Sequence, residues 1–251
     1  MRKQVGVLAV LTATLFVGGC TLGSANKDNI NYNSPAGEEQ AEIKTTDELV
    51  AAVTPENSAN PPIDSNLLSL SANAKILNIV SEDSEAKYSL NELLSGVPTF
   101  VVGTSHQLNG QIAVDAVSQP ATITIGDIKL DATSFTTDKQ LRDKNVISMV
   151  LKSDKPENQF IIFHTTSITG VPETLTADKS FPVKITGDLT ISGVTKPTTF
   201  DGSVTWKSDG SLVGSASTNL SYANFGLVIP DLPFLANVDE VVKLELNLSA
   251  K

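Results

Sequence analysis

The sequence predicts an all-β domain of antiparallel strands, arranged as a sandwich or as one sheet closed on itself. Three observations predict it. Apolar and polar residues alternate with a period of two in several segments, the pattern of strands that bury one face. Asn109-Gly110 and Asp209-Gly210 fall between such runs and read as tight hairpin turns, because both central positions of such turns need positive φ. The segment 67–251 also has the size that closes a single sheet, and a barrel of about eight strands holds packed side chains or one ligand. No repeat of solenoid or propeller period is present.

Composition narrows the function. The chain has 251 residues, which at roughly 150 residues per domain means one large domain or two small ones. Its net charge is −10, so no extended face can neutralise a nucleic-acid backbone, and nucleic acid is not an expected partner. A single Cys excludes an internal disulfide and a cysteine-rich zinc site, and two His leave little for metal chemistry, so no metal and no cofactor are expected.

The first element is not part of a domain. Met1-Arg2-Lys3-Gln4 is a positive start, and 5–17 is an uncharged, mostly apolar run. As a helix that run would span about 20 Å, short of a hydrocarbon core of about 30 Å, so it reads as a secretory signal over 1–19. Val17-Gly18-Gly19-Cys20 resembles the lipobox of bacterial lipoproteins, in which the thiol is acylated and becomes the mature N-terminus. The resemblance implies a lipid-modified Cys20 and export to a cell membrane or outer membrane, facing the periplasm or the exterior. Acyl chains stabilise attachment by about 0.8 kcal/mol per buried CH₂, so two or more on one residue would hold the protein there.

From 20 to 66 the composition changes to Asn, Ser, Pro and acidic residues, with Tyr32 the lone aromatic. Such a stretch buries too little apolar area to offset the entropy of ordering it, and it reads as a flexible acidic linker. Thr46-Asp47-Glu48 could cap a short helix over 46–53.

The strands follow from about 67. Thr122-Ile123-Thr124-Ile125 alternates cleanly. Over 138–149, Leu141, Val146, Ile147 and Met149 sit among charges at looser spacing, which predicts a short helical or turn-rich insert. Phe160-Ile161-Ile162-Phe163 is apolar on both faces, so its inward face is undetermined. Over 181–193, Phe181, Val183, Ile185, Leu189 and Ile191 share one face, opposite Lys184, Thr186, Asp188, Thr190 and Ser192. The segment 199–206 follows the same rule. At the end Val242, Leu244, Leu246 and Leu248 alternate with Lys243, Glu245, Asn247 and Ser249.

The chain carries no phosphate-binding loop, no Gly-x-Gly-x-x-Gly and no Gly-x-Ser-x-Gly elbow. His106 and His164 lack a local carboxylate motif and read as sheet or rim histidines. An enzyme is therefore not expected. Arg142-Asp143 has two readings. Arg142 could make a polar contact to a carboxylate, phosphate or carbonyl group, or it could pin the 138–149 insert across a barrel end while Asp143 caps a turn. The second is favoured.

These residues also carry a resemblance. Gly103-Thr104, Gly110, Ile112 and Asp115 come first, followed by Thr137, Arg142-Asp143 and Phe163-His164-Thr165-Thr166-Ser167-Ile168. Then come Ile185-Thr186-Gly187-Asp188-Leu189-Thr190-Ile191-Ser192-Gly193-Val194-Thr195-Lys196-Pro197, Phe225-Gly226 and the terminal strand. The order resembles the YceI-like family, whose members are lipocalin-like in fold and whose characterised examples bind polyisoprenoid lipids. Two positions depart from the pattern. Ser84-Glu85-Ala86-Lys87-Tyr88 replaces a His-Ser-containing strand, and Asn158-Gln159 replaces an aromatic-Pro pair.

The resemblance implies a closed, lipocalin-like barrel of about eight strands that binds a long apolar lipid, such as a polyisoprenoid or an isoprenoid quinone. On the alternation, Phe100, Val102, Ile123, Ile125, Phe135 and Val183 are expected to line it. Ile185, Leu189, Ile191, Phe200 and Phe225 are expected with them, and the family match adds Phe163. The expected function is membrane-tethered binding of such a lipid, in transport or storage. The alternative is a structural or adhesive envelope lipoprotein whose barrel is filled by side chains.

Overall fold

The structure, a computed structural model, describes residue 67 and residues 70–233 and 235–251. The expected signal segment 1–19, Cys20, the linker 20–66 and the helix over 46–53 lie outside the described residues.

The strands are β1 (Lys75–Asn78), β2 (Glu85–Leu94), β3 (Val97–Ser105), β4 (Leu108–Asn109), β5 (Gln111–Asp115), β6 (Thr122–Ile125) and β7 (Ile128–Asp131). After the single α-helix among the described residues, α1 (Gln140–Asn145), come β8 (Phe160–Thr169), β9 (Ser180–Ile191) and β10 (Val194–Trp206). β11 (Leu212–Ser221), β12 (Leu235–Ala236) and β13 (Val241–Ala250) complete the chain.

Ten strands form one antiparallel sheet in the order β12-β2-β13-β11-β10-β9-β8-β7-β4, with β3 also paired to β2. The sheet curls into a nearly closed barrel. Thr104 of β3 and Thr136, in the segment after β7, exchange backbone hydrogen bonds of 2.9 Å in both directions and so bring that segment against β3. β1, β5 and β6 form a separate three-stranded sheet. Leu77, Ile112, Val114 and Ile123 of this small sheet are buried in the same apolar core as the barrel strands. The fold is the expected all-β barrel, with more strands than expected because the small sheet and the short β4 and β12 are added to the long hairpins.

The long strands form where the alternation predicts them. In β9, Val183, Leu189 and Ile191 are buried and Lys184 is exposed, as one apolar pleat face requires. β13 turns Val242, Leu244, Leu246 and Leu248 inward on the same principle. The expected insert is also present: α1 runs directly into a π-helical turn, Val146–Val150.

Two turn expectations need correction. Asn109-Gly110 is no hairpin, because β4 pairs with β7 in the large sheet while β5 pairs with β1 and β6 in the small one. The chain changes sheets there, and Gly110 is not among the residues of positive φ. Asp209-Gly210 does join β10 to β11, but through a longer loop in which Gly210 alone has positive φ, with Lys207 N–H bonded to Ser211 O at 2.9 Å. The two-residue hairpins are Ser95-Gly96 and Ser192-Gly193, where both φ values are positive. They join Leu94 to Val97 and Ile191 to Val194, the geometry whose twist matches that of the flanking strands.

Candidate functional site

The barrel is not packed solid. Its interior holds a cavity of about 230 Å³, walled almost wholly by carbon. β9 contributes Ile185, Leu189 and Ile191, while Phe163 comes from β8 and Phe200 from β10. The rings of Phe163 and Phe200 meet edge to face, with centroids 5.2 Å apart. Leu244, Leu246 and Leu248 of β13 face them, and the small sheet adds Ile112 and Ile125. The three leucines keep part of their surface uncovered because they face this space.

β2 supplies Ala86, Tyr88 and Leu90 at alternate positions. Tyr88 lies across Gly103 on the paired strand and touches Phe135 edge to face, with ring centroids 5.2 Å apart. Its hydroxyl is buried without a hydrogen-bond partner among the described residues. Burial pushes the Tyr88 phenol up to about 12, although the Arg142 guanidinium acts in the opposite direction.

Beyond Tyr88 is a second, smaller chamber of about 140 Å³. Tyr88, Leu90, Val146, Val150 and Ile229 border both spaces. The π-helical turn thus presents its two valines to the division between them. The smaller chamber also has charged walls. Glu92 of β2 accepts a 2.9 Å hydrogen bond from Arg142 Nη2 of α1, and the two side chains are 8% and 12% exposed. Arg142 also bonds Asp138 and, at 3.4 Å, Thr137 Oγ1. Burial works against the charge of Arg142, but Glu92 and Asp138 more than offset it, so its pKa is raised. Asp143 accepts from both Thr137 N, at 2.8 Å, and Thr137 Oγ1, at 2.6 Å. Arg142 therefore ties the insert to β2, and Asp143 fastens the turn before α1.

The YceI-like domain model matches residues 77–250, which is most of the chain and nearly all of its described part. The chain belongs to the YceI-like family. Among solved structures, it resembles a polyisoprenoid binding domain from Saccharophagus degradans implicated in plant cell wall breakdown. That match has 13% identity and a TM-score of 0.54, and covers 70% of this chain and 97% of that one. It also resembles BcnA of Burkholderia cenocepacia, at 17% identity and a TM-score of 0.49, over 69% of this chain and 99% of that one. No curated protein matches the chain.

Within this YceI-like barrel the expected lining residues divide. Ile125, Phe135, Phe163, Ile185, Leu189, Ile191 and Phe200 border the cavity. Val183, Ile123 and Phe225 are buried in the surrounding core and do not border it. Phe225 sits in the 3-10 turn Tyr222–Phe225, which presents Tyr222 to the cavity instead. Phe100 and Val102 are corrections: they are 65% and 37% exposed on the outer face of β3, and Val101, Gly103 and Ser105 point inward. The run Phe100-Val101-Val102 is apolar on both faces, and a register one residue away reverses every side chain.

The cavity residues not expected are those of β13, whose alternation is plain in the sequence, and Tyr88 and Leu90, which the alternation Ala86-x-Tyr88-x-Leu90 marks. In Phe160-Ile161-Ile162-Phe163, Ile161 and Phe163 face the cavity and Phe160 is exposed. The histidines are placed apart from it. His106 Nδ1 lies 2.6 Å from Ser84 O, and His164 Nδ1 lies 2.7 Å from Asp127 Oδ1. Among the described residues no cluster of three His, Cys, Asp or Glu could hold a metal ion.

Proposed function

We propose that the protein binds a long apolar lipid of the polyisoprenoid class inside the barrel, as a binding module and not as a catalyst. One observation carries this reading: a carbon-walled cavity lies inside the barrel where close packing would otherwise place side chains. Empty apolar space forfeits dispersion contacts, and an apolar chain restores them while leaving water. Burying about 500 Å² of lipid at about 25 cal/mol per Å² would contribute roughly 12 kcal/mol before ordering costs. A linear isoprenoid suits such a slot because it needs few polar partners. The Saccharophagus degradans neighbour, described as polyisoprenoid binding, supports the same ligand class.

The lipobox-like Val17-Gly18-Gly19-Cys20 supports a membrane-tethered form, acylated at Cys20 and held by the 20–66 linker, so that the barrel works beside the bilayer that stores its ligand. Two measurements test the reading. Organic extraction of the purified protein followed by mass spectrometry is expected to yield an isoprenoid lipid. Protein that carries no lipid and takes up none offered in detergent would refute binding. Cys20→Ala is expected to leave an uncleaved or a soluble form; equal membrane recovery with normal signal cleavage would refute the tether.

A further inference from the structure

We propose that the smaller chamber is a head-group site for an uncharged, oxygen-bearing lipid head, and that its buried charge pair excludes an anionic one. This rests on the reading of the larger cavity as the seat of the lipid tail.

The two spaces share a wall. Tyr88, Leu90, Val146, Val150 and Ile229 belong to both, so a ligand that occupies both spaces passes these residues. A tail in the larger cavity then brings its head against Tyr88, Glu92 and Arg142. Tyr88 and Arg142 can donate hydrogen bonds to it, whereas the Glu92 carboxylate only accepts. The Tyr88 hydroxyl is buried and unpartnered among the described residues, so a carbonyl or hydroxyl oxygen arriving beside it supplies a missing acceptor. A guanidinium has five N–H donors, and the acceptors found for Arg142 are Glu92, Asp138 and Thr137.

Charge decides which heads fit. Arg142 and Lys139 are the cations of the chamber wall, against Glu92 in that wall and Asp138 and Asp143 beside it. Arg142 is already neutralised by two carboxylates. A phosphate head drawn to Arg142 would stand beside the Glu92 carboxylate, a like charge that is almost fully buried and little screened by water. A neutral head leaves the pair intact. The composition agrees, since a chain of net charge −10 offers no wider field that attracts an anion.

The test compares three ligands with one tail, offered to the full chain in detergent: geranylgeraniol, geranylgeranyl phosphate and the hydrocarbon lacking a head. The alcohol is expected to bind at least about tenfold tighter than the phosphate, because only the phosphate meets the buried Glu92 carboxylate as a like charge. Tyr88→Phe is expected to weaken the alcohol by up to about tenfold, the loss of one buried hydrogen bond, and to leave the hydrocarbon unchanged. Glu92→Gln is expected to narrow the gap between alcohol and phosphate. Asp138→Asn, at an exposed carboxylate on the same guanidinium, is expected to narrow it as well and serves if Glu92→Gln does not fold. Equal affinity for alcohol and phosphate, or a Tyr88→Phe loss as large for the hydrocarbon as for the alcohol, overturns the head-group site and leaves the tail reading standing. Binding of none of the three overturns both.

Discussion

The Tyr88 ring lies so close over Gly103 of the neighbouring strand that a Cβ on Gly103 would stand 2.1 Å from Tyr88 Cε1. The two residues are direct partners in the β2–β3 register, and no side chain larger than hydrogen fits beneath the ring. That contact holds Tyr88 at the division between the two spaces of the barrel.

Gly103→Ala is therefore expected to displace the ring and to destabilise the protein by about 1–3 kcal/mol, the usual range for overpacking. Thermal unfolding of the variant against wild type measures it. An unchanged melting temperature would show that Tyr88 has other places to go and does not depend on the glycine.

The Arg142–Glu92 pair gives a prediction about stability that differs from its role in recognition. Arg142→Met leaves the Glu92 carboxylate charged and nearly buried, which is expected to cost about 3–5 kcal/mol. Arg142→Met combined with Glu92→Leu removes both charges and is expected to recover most of that loss. Urea unfolding of the single and double variants forms a cycle; additive losses would mean that the pair is solvated enough to act as two independent charges.

Asp115 predicts a pH dependence. Its carboxylate accepts from the Ser118 hydroxyl at 2.6 Å, from the Ser71 hydroxyl and from the backbone N–H groups of Val117 and Ser118. These bonds, led by Ser118 and Ser71, hold its pKa well below the usual carboxylate range. Because the folded value is depressed, the stabilisation is fully present above the ordinary Asp value of about 4 and fades as pH falls below it. Asp115→Asn is expected to be less stable than wild type at neutral pH, with the gap closing in acid. A gap of constant size from neutral to acidic pH would show that the charge of Asp115 contributes nothing.

The cavity wall can be tested without knowing the lipid. Ile185→Asp or Leu189→Lys places an unpaired charge against carbon, at a cost of several kcal/mol, and is expected to empty the barrel of co-purified lipid. Lys184→Ala, on the outer face of the same strand, removes only an exposed ion pair with Asp201 and is expected to retain it. Lipid per mole of folded protein is the readout, with circular dichroism to confirm folding. Equal loss from inner and outer variants would place the lipid elsewhere.

Local pattern settles the character of each segment whose two faces differ. Along 181–191 and 242–248 one pleat face is apolar and the other polar, so burial has a single solution, and the inward residues were legible before any partner strand was known. The insert at 138–149 was legible for a similar reason, since its apolar residues are spaced too loosely for a strand. Tertiary structure decided what local pattern leaves degenerate. Phe100-Val101-Val102 can bury either face; pairing with β2 chose Val101 and Gly103, because Tyr88 crosses at Gly103 and needs the missing side chain. Asn109-Gly110 looked like a hairpin, yet its flanking strands found partners in different sheets. The smaller chamber was invisible for the same physical reason: Glu92 and Arg142 lie on separate elements, and only closure of the sheet with the insert across it brings their charges together out of water.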